Sequence, residues 1–382
     1  MKPLTRLVPL LAFLFLAPGS PLPAAPAALP DGIYAEIGTP RGLITCELYF
    51  QKVPLPVASF VGLAEGTLGP APRKPYFDGV KFHRVVPDFV VQGGDPTGTG
   101  DGGPGFTFPD AFVPGLRHDA AGVLSMANQG PDTNGSQFFL TLRETNRLNY
   151  LHSVFGRVVR GIELLPLVKQ DDAMTVAILR RGAAAKAFRA DAVAVRELTA
   201  KTRTYTGSAE PGPTAHFDDP DKILPVTPPR AKYFNYKLAN LERATGLKIV
   251  ARLRSKSPTA TEDAQPGAFM RALAQQLGTA REGALAVYFA DDDSWRVWVG
   301  DALTSRFAGR AGTAKELTDS GAIHEVKEAL LKAAQETGSA DFKRQQATLA
   351  ATQQPAPPPG QRVKLQADAI LDGLIFKLEP SR

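Results

Sequence analysis

At 382 residues the chain is too long for one ordinary small domain, and 43% apolar with 21% charged residues describes a globular protein, not a disordered one. Its net charge of +6 is small for this length and its basic residues are scattered, so nothing indicates nucleic-acid binding. A single cysteine, Cys46, excludes an intramolecular disulfide.

The N-terminus reads as an address. Lys2 and Arg6 precede an apolar run over 7–17, and Ala25-Pro26-Ala27 offers small residues where a signal peptidase cuts. Residues 1–27 are therefore expected to be a signal peptide cleaved near Ala27, with an exported protein, periplasmic or secreted, as the product. The run is short for a membrane span, and none is expected after cleavage.

From 33 to 181 the pattern is short strands joined by Gly- and Pro-rich turns. Strands are expected at 33–37, 43–50, 80–85, 89–92, 122–127, 137–142, 154–159 and 174–180. Alternation puts Ile44, Cys46, Leu48 and Phe50 on one face, which makes Cys46 a buried core thiol. Helices are expected over 54–66, opened by prolines and closed by Gly66, and over 161–169. The expected fold class is mostly β, a closed antiparallel barrel with two capping helices, because closure removes exposed strand edges.

Residues 186 to about 230 lose periodicity and read as a short helical tail followed by a linker at 191–230. Periodicity returns with Phe234, Leu238 and Leu241 on a helix face, a strand at 248–253, and a helix carrying Phe269, Ala272, Leu273 and Leu277. A continuous apolar strand at 284–290, an alternating partner at 295–299 and a helix with Ile323, Val326, Leu330 and Ala334 follow. These compose a separate α/β domain over 231–340, whose Asp291-Asp292-Asp293 reads as a hairpin turn ahead of a metal site. The tail at 341–382 carries a polar helix from about Gly338, a Pro-rich breaker at 355–360 and an apolar segment at 363–378, none with an evident place.

Two long motifs are specific. Phe82-His83-Arg84-Val85-Val86-Pro87-Asp88-Phe89-Val90-Val91-Gln92-Gly93-Gly94-Asp95 resembles the signature of cyclophilins. Leu124-Ser125-Met126-Ala127-Asn128, then Thr133-Asn134-Gly135-Ser136-Gln137-Phe138-Phe139, resembles that family's second signature, and Leu148, His152 and Val154-Phe155-Gly156 follow at its spacing. The resemblance covers about 33–182, and 28–190 is taken as the isomerase domain.

The resemblance implies a peptidyl-prolyl cis-trans isomerase acting on proline-containing segments of client proteins. It implies Arg84 as the catalytic residue, with Phe89, Val90, Gln92, Ala127, Asn128, Gln137, Phe139, Leu148 and His152 lining the substrate site. The chemistry suits them. Rotating an X–Pro bond breaks amide resonance against about 18–20 kcal/mol, with no bond made or cut, so no metal or cofactor is needed. A permanently charged guanidinium at the prolyl nitrogen favours the twisted amide. His83 alternates onto the other strand face and is read as structural.

Two positions depart from the family pattern. Arg147 stands where many cyclophilins carry tryptophan, and Val90 stands at a methionine position; the first bears on cyclosporin binding. An insertion-like stretch at 68–75 adds a Pro-rich loop. In the second domain, Leu241-Glu242-Arg243-Ala244-Thr245-Gly246-Leu247-Lys248-Ile249-Val250, 283–289 and Arg296-Val297-Trp298-Val299-Gly300 resemble the TPM domain family. The leading function is folding assistance for exported proteins. Rival readings are a non-catalytic proline-peptide dock and a bifunctional protein with a phosphatase-like C-terminal domain.

Overall fold

The computed structural model describes residues 28–208, 210–224, 230–358 and 360–380; the signal-peptide reading of 1–27 lies outside them. Strands β1 (Gly32–Thr39) and β2 (Gly42–Leu48) form a hairpin, and helix α1 (Pro54–Ala64) follows, with prolines in its first turn. Next come β3 (Arg84–Val86), β4 (Val90–Gly93), β5 (Val123–Met126), β6 (Phe138–Thr141), β7 (Val154–Arg160) and β8 (Thr175–Arg181). They make one antiparallel sheet in the order β3-β4-β6-β5-β7-β2-β1-β8.

The expected closed barrel is corrected to a curled sheet, because the end strands β3 and β8 do not pair. The segments before them meet at an isolated bridge, Lys81 with Ala173, and through backbone hydrogen bonds of Gly79, Val80 and Phe82 with 171–174, without forming a strand pair. The physical reason is that the 80–85 stretch is strand only from Arg84, with a turn before it and Pro87 ending it, so too little extended backbone remains to zip the gap. The second capping helix is also corrected: 162–167 is a 3₁₀ helix, in which Pro166 removes an N–H donor. Inside the curl, Phe60 of α1 stacks on Phe77 at 5.0 Å and meets Phe138 and Phe155 at 5.3 and 5.4 Å. Cys46 lies in this core, its thiol pushed up to about 12 by burial.

The stretch after β8 is not free linker. Helix α2 (Gly182–Ala187) leads to α3 (Ala192–Lys201), capped by Asp191, whose side chain accepts from the N–H groups of Val193 and Ala194. Val195 of α3 joins the core of the first sheet. Gly62 admits this packing, since a Cβ there would stand 2.2 Å from the Ala190 carbonyl oxygen. Strand β9 (Phe217–Asp218) then pairs into a second sheet.

That sheet, in the order β12-β11-β10-β9, is built from β9, β10 (Lys248–Arg254), β11 (Gly283–Phe289) and β12 (Ser294–Val299). Helices α4 (Arg230–Thr245), α8 (Ala322–Ala351) and α9 (Gly360–Leu378) cover the face carrying Ile249, Ala251 and Ala286. Helix α5 (Ala268–Gln276) covers the face carrying Val250, Leu285 and Val287, which is why β11 is apolar throughout. Two short helices, α6 (Thr304–Ala308) and α7 (Ala314–Asp319), precede α8. The unplaced tail is corrected to a core element: Ile370, Leu371, Leu374 and Leu378 of α9 are buried, and Gly338 lets α8 approach the backbone at Gln366. Asp291-Asp292-Asp293 makes the β11–β12 turn, with Asp293 at φ 49° and bonded to Arg362 and Tyr288.

Candidate active site

Register builds the site. Arg84 on β3 pairs with Gln92 on β4, Gln92 with Phe139 on β6, and Phe139 with Ser125 on β5, so these four form one cross-strand row. Directly paired residues share a sheet face, which brings Arg84, Gln92 and Phe139 together although they are distant in sequence. A tight turn through Pro87 and Asp88, the latter at φ 55°, carries Phe89 to the end of the β3–β4 hairpin. The Arg84 guanidinium lies 5.9 Å from the Phe89 ring centre.

An amide relay orients the guanidinium. Arg84 Nη1 donates to Gln92 Oε1 at 3.2 Å, and Gln92 Nε2 donates to Gln137 Oε1 at 3.1 Å. Gln137 Nε2 in turn donates to the carbonyls of Gly100 and Gly102, at 2.8 and 3.0 Å. Asp95 fastens that glycine loop by accepting from the N–H groups of Thr97, Gly100 and Gly102.

Phe139 is held between two histidines, stacked on His118 at 5.7 Å and edge-on to His152 at 5.3 Å. His118 is fully buried, bonded to Asn149 and Ser125, and burial pushes it down to about 3. His152 bonds through Nδ1 to the Met126 carbonyl, and burial lowers it to about 4. Both imidazoles are neutral at physiological pH.

Asn128 rests on a buried carboxylate. Its Nδ2 donates to the Leu151 carbonyl at 2.8 Å and to Asp110 Oδ1 at 3.3 Å. Asp110 and Asp132 each accept from the other's backbone N–H at 2.9 Å, and Asn134 also donates to Asp110. Burial raises Asp110 to about 6.

A cavity of about 580 Å³ gathers every sequence-derived site residue except Gln137, which stands behind Gln92 as its support. His83 is not part of its lining. Arg147 also lines the cavity, its guanidinium 4.4 Å from the Phe89 ring centre, where the family's tryptophan would be. Sequence reasoning missed the other contributors. Tyr233, Tyr236, Lys237 and Asn240 of α4, with Lys364 and Asp368 of α9, line the same space.

The family model for cyclophilin-type peptidyl-prolyl cis-trans isomerases matches residues 34–180. The probable peptidyl-prolyl cis-trans isomerase A of Mycobacterium leprae is 51% identical over 131 residues, which cover 32% of this chain and 72% of that protein. The chain belongs to the cyclophilin-type isomerase family. The human peptidyl-prolyl cis-trans isomerase-like 1 is 47% identical over 139 residues, covering 36% and 78% of the two chains. A solved cyclophilin-type isomerase of Cryptosporidium parvum, crystallised in the presence of the dipeptide Ala-Pro, is 31% identical with a TM-score of 0.35, covering 39% of this chain and 99% of that one. The family match and the named relatives support prolyl isomerase activity, and the matched segment is the one that carries the cross-strand row.

Proposed function

We propose that this protein isomerises X–Pro bonds in client polypeptides by twisting the amide against Arg84. The observation that carries this reading is the relay from Arg84 through Gln92 and Gln137, which fixes a permanent cation at the open end of an aromatic pocket. In the twisted amide the nitrogen lone pair is localised and accepts a hydrogen bond, so the guanidinium binds the transition state better than the planar ground state. A charge-assisted hydrogen bond contributes about 1.5–3 kcal/mol, whereas a ~10⁵-fold acceleration needs about 7 kcal/mol. The balance comes from Phe89, Val90, Phe139 and Leu148, which take the proline ring and exclude water from the dipolar amide. Asn128 and Gln92 hold the peptide as one end rotates.

The signal-like segment at 1–27 supports an exported protein, with clients folding outside the cytoplasm. The pattern at 241–250 and 283–300 supports a TPM-like reading of the second unit. The test of the activity is NMR exchange between cis and trans forms of a proline tetrapeptide. Acceleration by the unaltered chain, and of a proline-limited refolding reaction, is expected; no acceleration overturns the reading. N-terminal sequencing of the exported product tests cleavage after Ala27.

A further inference from the structure

We propose that the C-terminal unit supplies a second wall of the client-binding cleft, an aromatic ledge on α4 that favours segments with an aromatic side chain flanking the proline. The proposal rests on the isomerase reading of the pocket and extends it beyond the family's own domain.

The wall is continuous with the proline pocket, since residues of α4 and α9 line the same cavity as Arg84, Phe89 and His152. Tyr233, Tyr236, Lys237 and Asn240 are spaced i, i+3, i+4 and i+7, so they lie on one helix face. Their placement is fixed. Asn240 Nδ2 donates to the Tyr150 carbonyl at 2.8 Å, and Lys237 Nζ reaches the Arg147 carbonyl at 3.4 Å. Both bonds pin α4 to the turn that carries Leu148 and His152.

The chemistry of the wall narrows the occupant. Lys237 is paired with Asp372, and Lys364 with Asp368, so the cations of this wall are matched by carboxylates of the same unit. Asn240 donates through Nδ2 to backbone, and its Oδ1, which has no partner among the described residues, is buried away from the open surface of the wall. Tyrosine rings remain as its recognition surface. Tyr233 is 44% exposed, and Tyr236 is half-buried with its edge against Tyr205 at 5.7 Å. Rigid rings of this kind bind partners at low entropic cost, and aromatic side chains are the natural complement. An extended segment advances about 3.3–3.6 Å per residue, so side chains a few positions from the proline reach past the proline pocket.

The test measures binding by fluorescence anisotropy for two labelled probes: a short Ala-Ala-Pro-Ala peptide, and a longer one with phenylalanine on both sides of the proline. Full-length protein is compared with Tyr233→Ala, Tyr236→Ala and the corresponding Phe substitutions. An aromatic pair contributes enough for each Ala substitution to weaken the long probe by about twofold to twelvefold more than the short one. The Phe substitutions, which keep the ring, restore the difference. If both probes respond equally to the Ala substitutions, or neither responds, the ledge is not a subsite. Affinity is read without turnover, so a chain that binds the long probe through Tyr233 yet fails to accelerate exchange would sink the catalytic reading and leave this one standing.

Discussion

Arg243 of α4 donates from Nη1 to both carboxylate oxygens of Asp132, at 2.9 and 3.2 Å, in the loop that carries Asn128. Its Nη2 stands 3.7 Å from Asp110, the carboxylate on which Asn128 rests. One guanidinium of the C-terminal unit thus serves two carboxylates of the isomerase domain.

Arg243→Ala is therefore expected to destabilise the fold and weaken turnover together. Removing one member of a buried ion pair costs about 3–5 kcal/mol, and the partial exposure of Asp132 brings the expectation to about 2–3 kcal/mol. Asp132→Asn in the Arg243→Ala background should recover part of this loss, because it removes the stranded charge. Urea unfolding of the four proteins gives the coupling, and additive effects would show that the pair is not coupled.

Arg84→Ala is expected to lower kcat/KM more than tenfold while leaving the melting temperature within a few degrees. Arg84 is exposed and its side chain bonds only Gln92 among the described residues, so the core does not depend on it. Retention of more than about a tenth of kcat/KM, a loss below about 1.4 kcal/mol, rules out the assigned role.

The unaltered protein is expected to bind cyclosporin poorly, and Arg147→Trp to bind it better. At present a guanidinium lies 4.4 Å from the Phe89 ring centre and closes that side with charge. An indole there supplies apolar area and an N–H donor. Nanomolar inhibition of the unaltered protein in the peptide assay defeats this expectation.

The cross-strand row was legible because strand alternation and two long motifs fix which residues share a face; Arg84, Gln92 and Phe139 needed no more than register. Sheet closure was not legible, since it depends on how far β3 extends before the turn ahead of it, which periodicity does not report. Helix α4 shows a subtler limit. Its core stripe, Phe234, Leu238 and Leu241, stands out as apolar. The second stripe, Tyr233, Tyr236, Lys237 and Asn240, has helical spacing too, but its polar atoms read as a solvated face. Only the docking of α4 on the turn at Arg147 to Tyr150 turns that face into a wall. Helix α9 was legible as an apolar segment at 363–378 but not as a core element, because its charges at Lys364, Asp368 and Asp372 are tolerated inside only where Lys364 pairs with Asp368 and Lys237 with Asp372.

His118 and His152 act on the pH dependence of stability in one sense and Asp110 in the other. Burial holds His118 at about 3 and His152 at about 4, against about 6.5 in an unfolded chain. Below pH 6.5 the unfolded chain takes up protons that the folded chain refuses. Each histidine then removes up to about 1.4 kcal/mol of stability per pH unit until its folded value is reached. Asp110 acts in the opposite sense. Burial raises it to about 6, so as pH falls from 6 toward 4 the folded chain binds a proton before the unfolded one and gains stability. Asp132 and Arg243 face it on one side and the neutral amides of Asn128 and Asn134 on the other, and burial outweighs Arg243. Burial also raises Asp219 and Asp372, so between pH 6.5 and 4 the two imidazoles drive a fall in melting temperature that these carboxyls oppose together with Asp110. Asp110→Asn should steepen that fall by removing one opposing group, and His118→Gln should flatten it. Thermal melts across this window decide the matter: a His118→Gln protein whose melting temperature changes with pH as steeply as that of the unaltered protein means that His118 is not held neutral by burial in the folded protein.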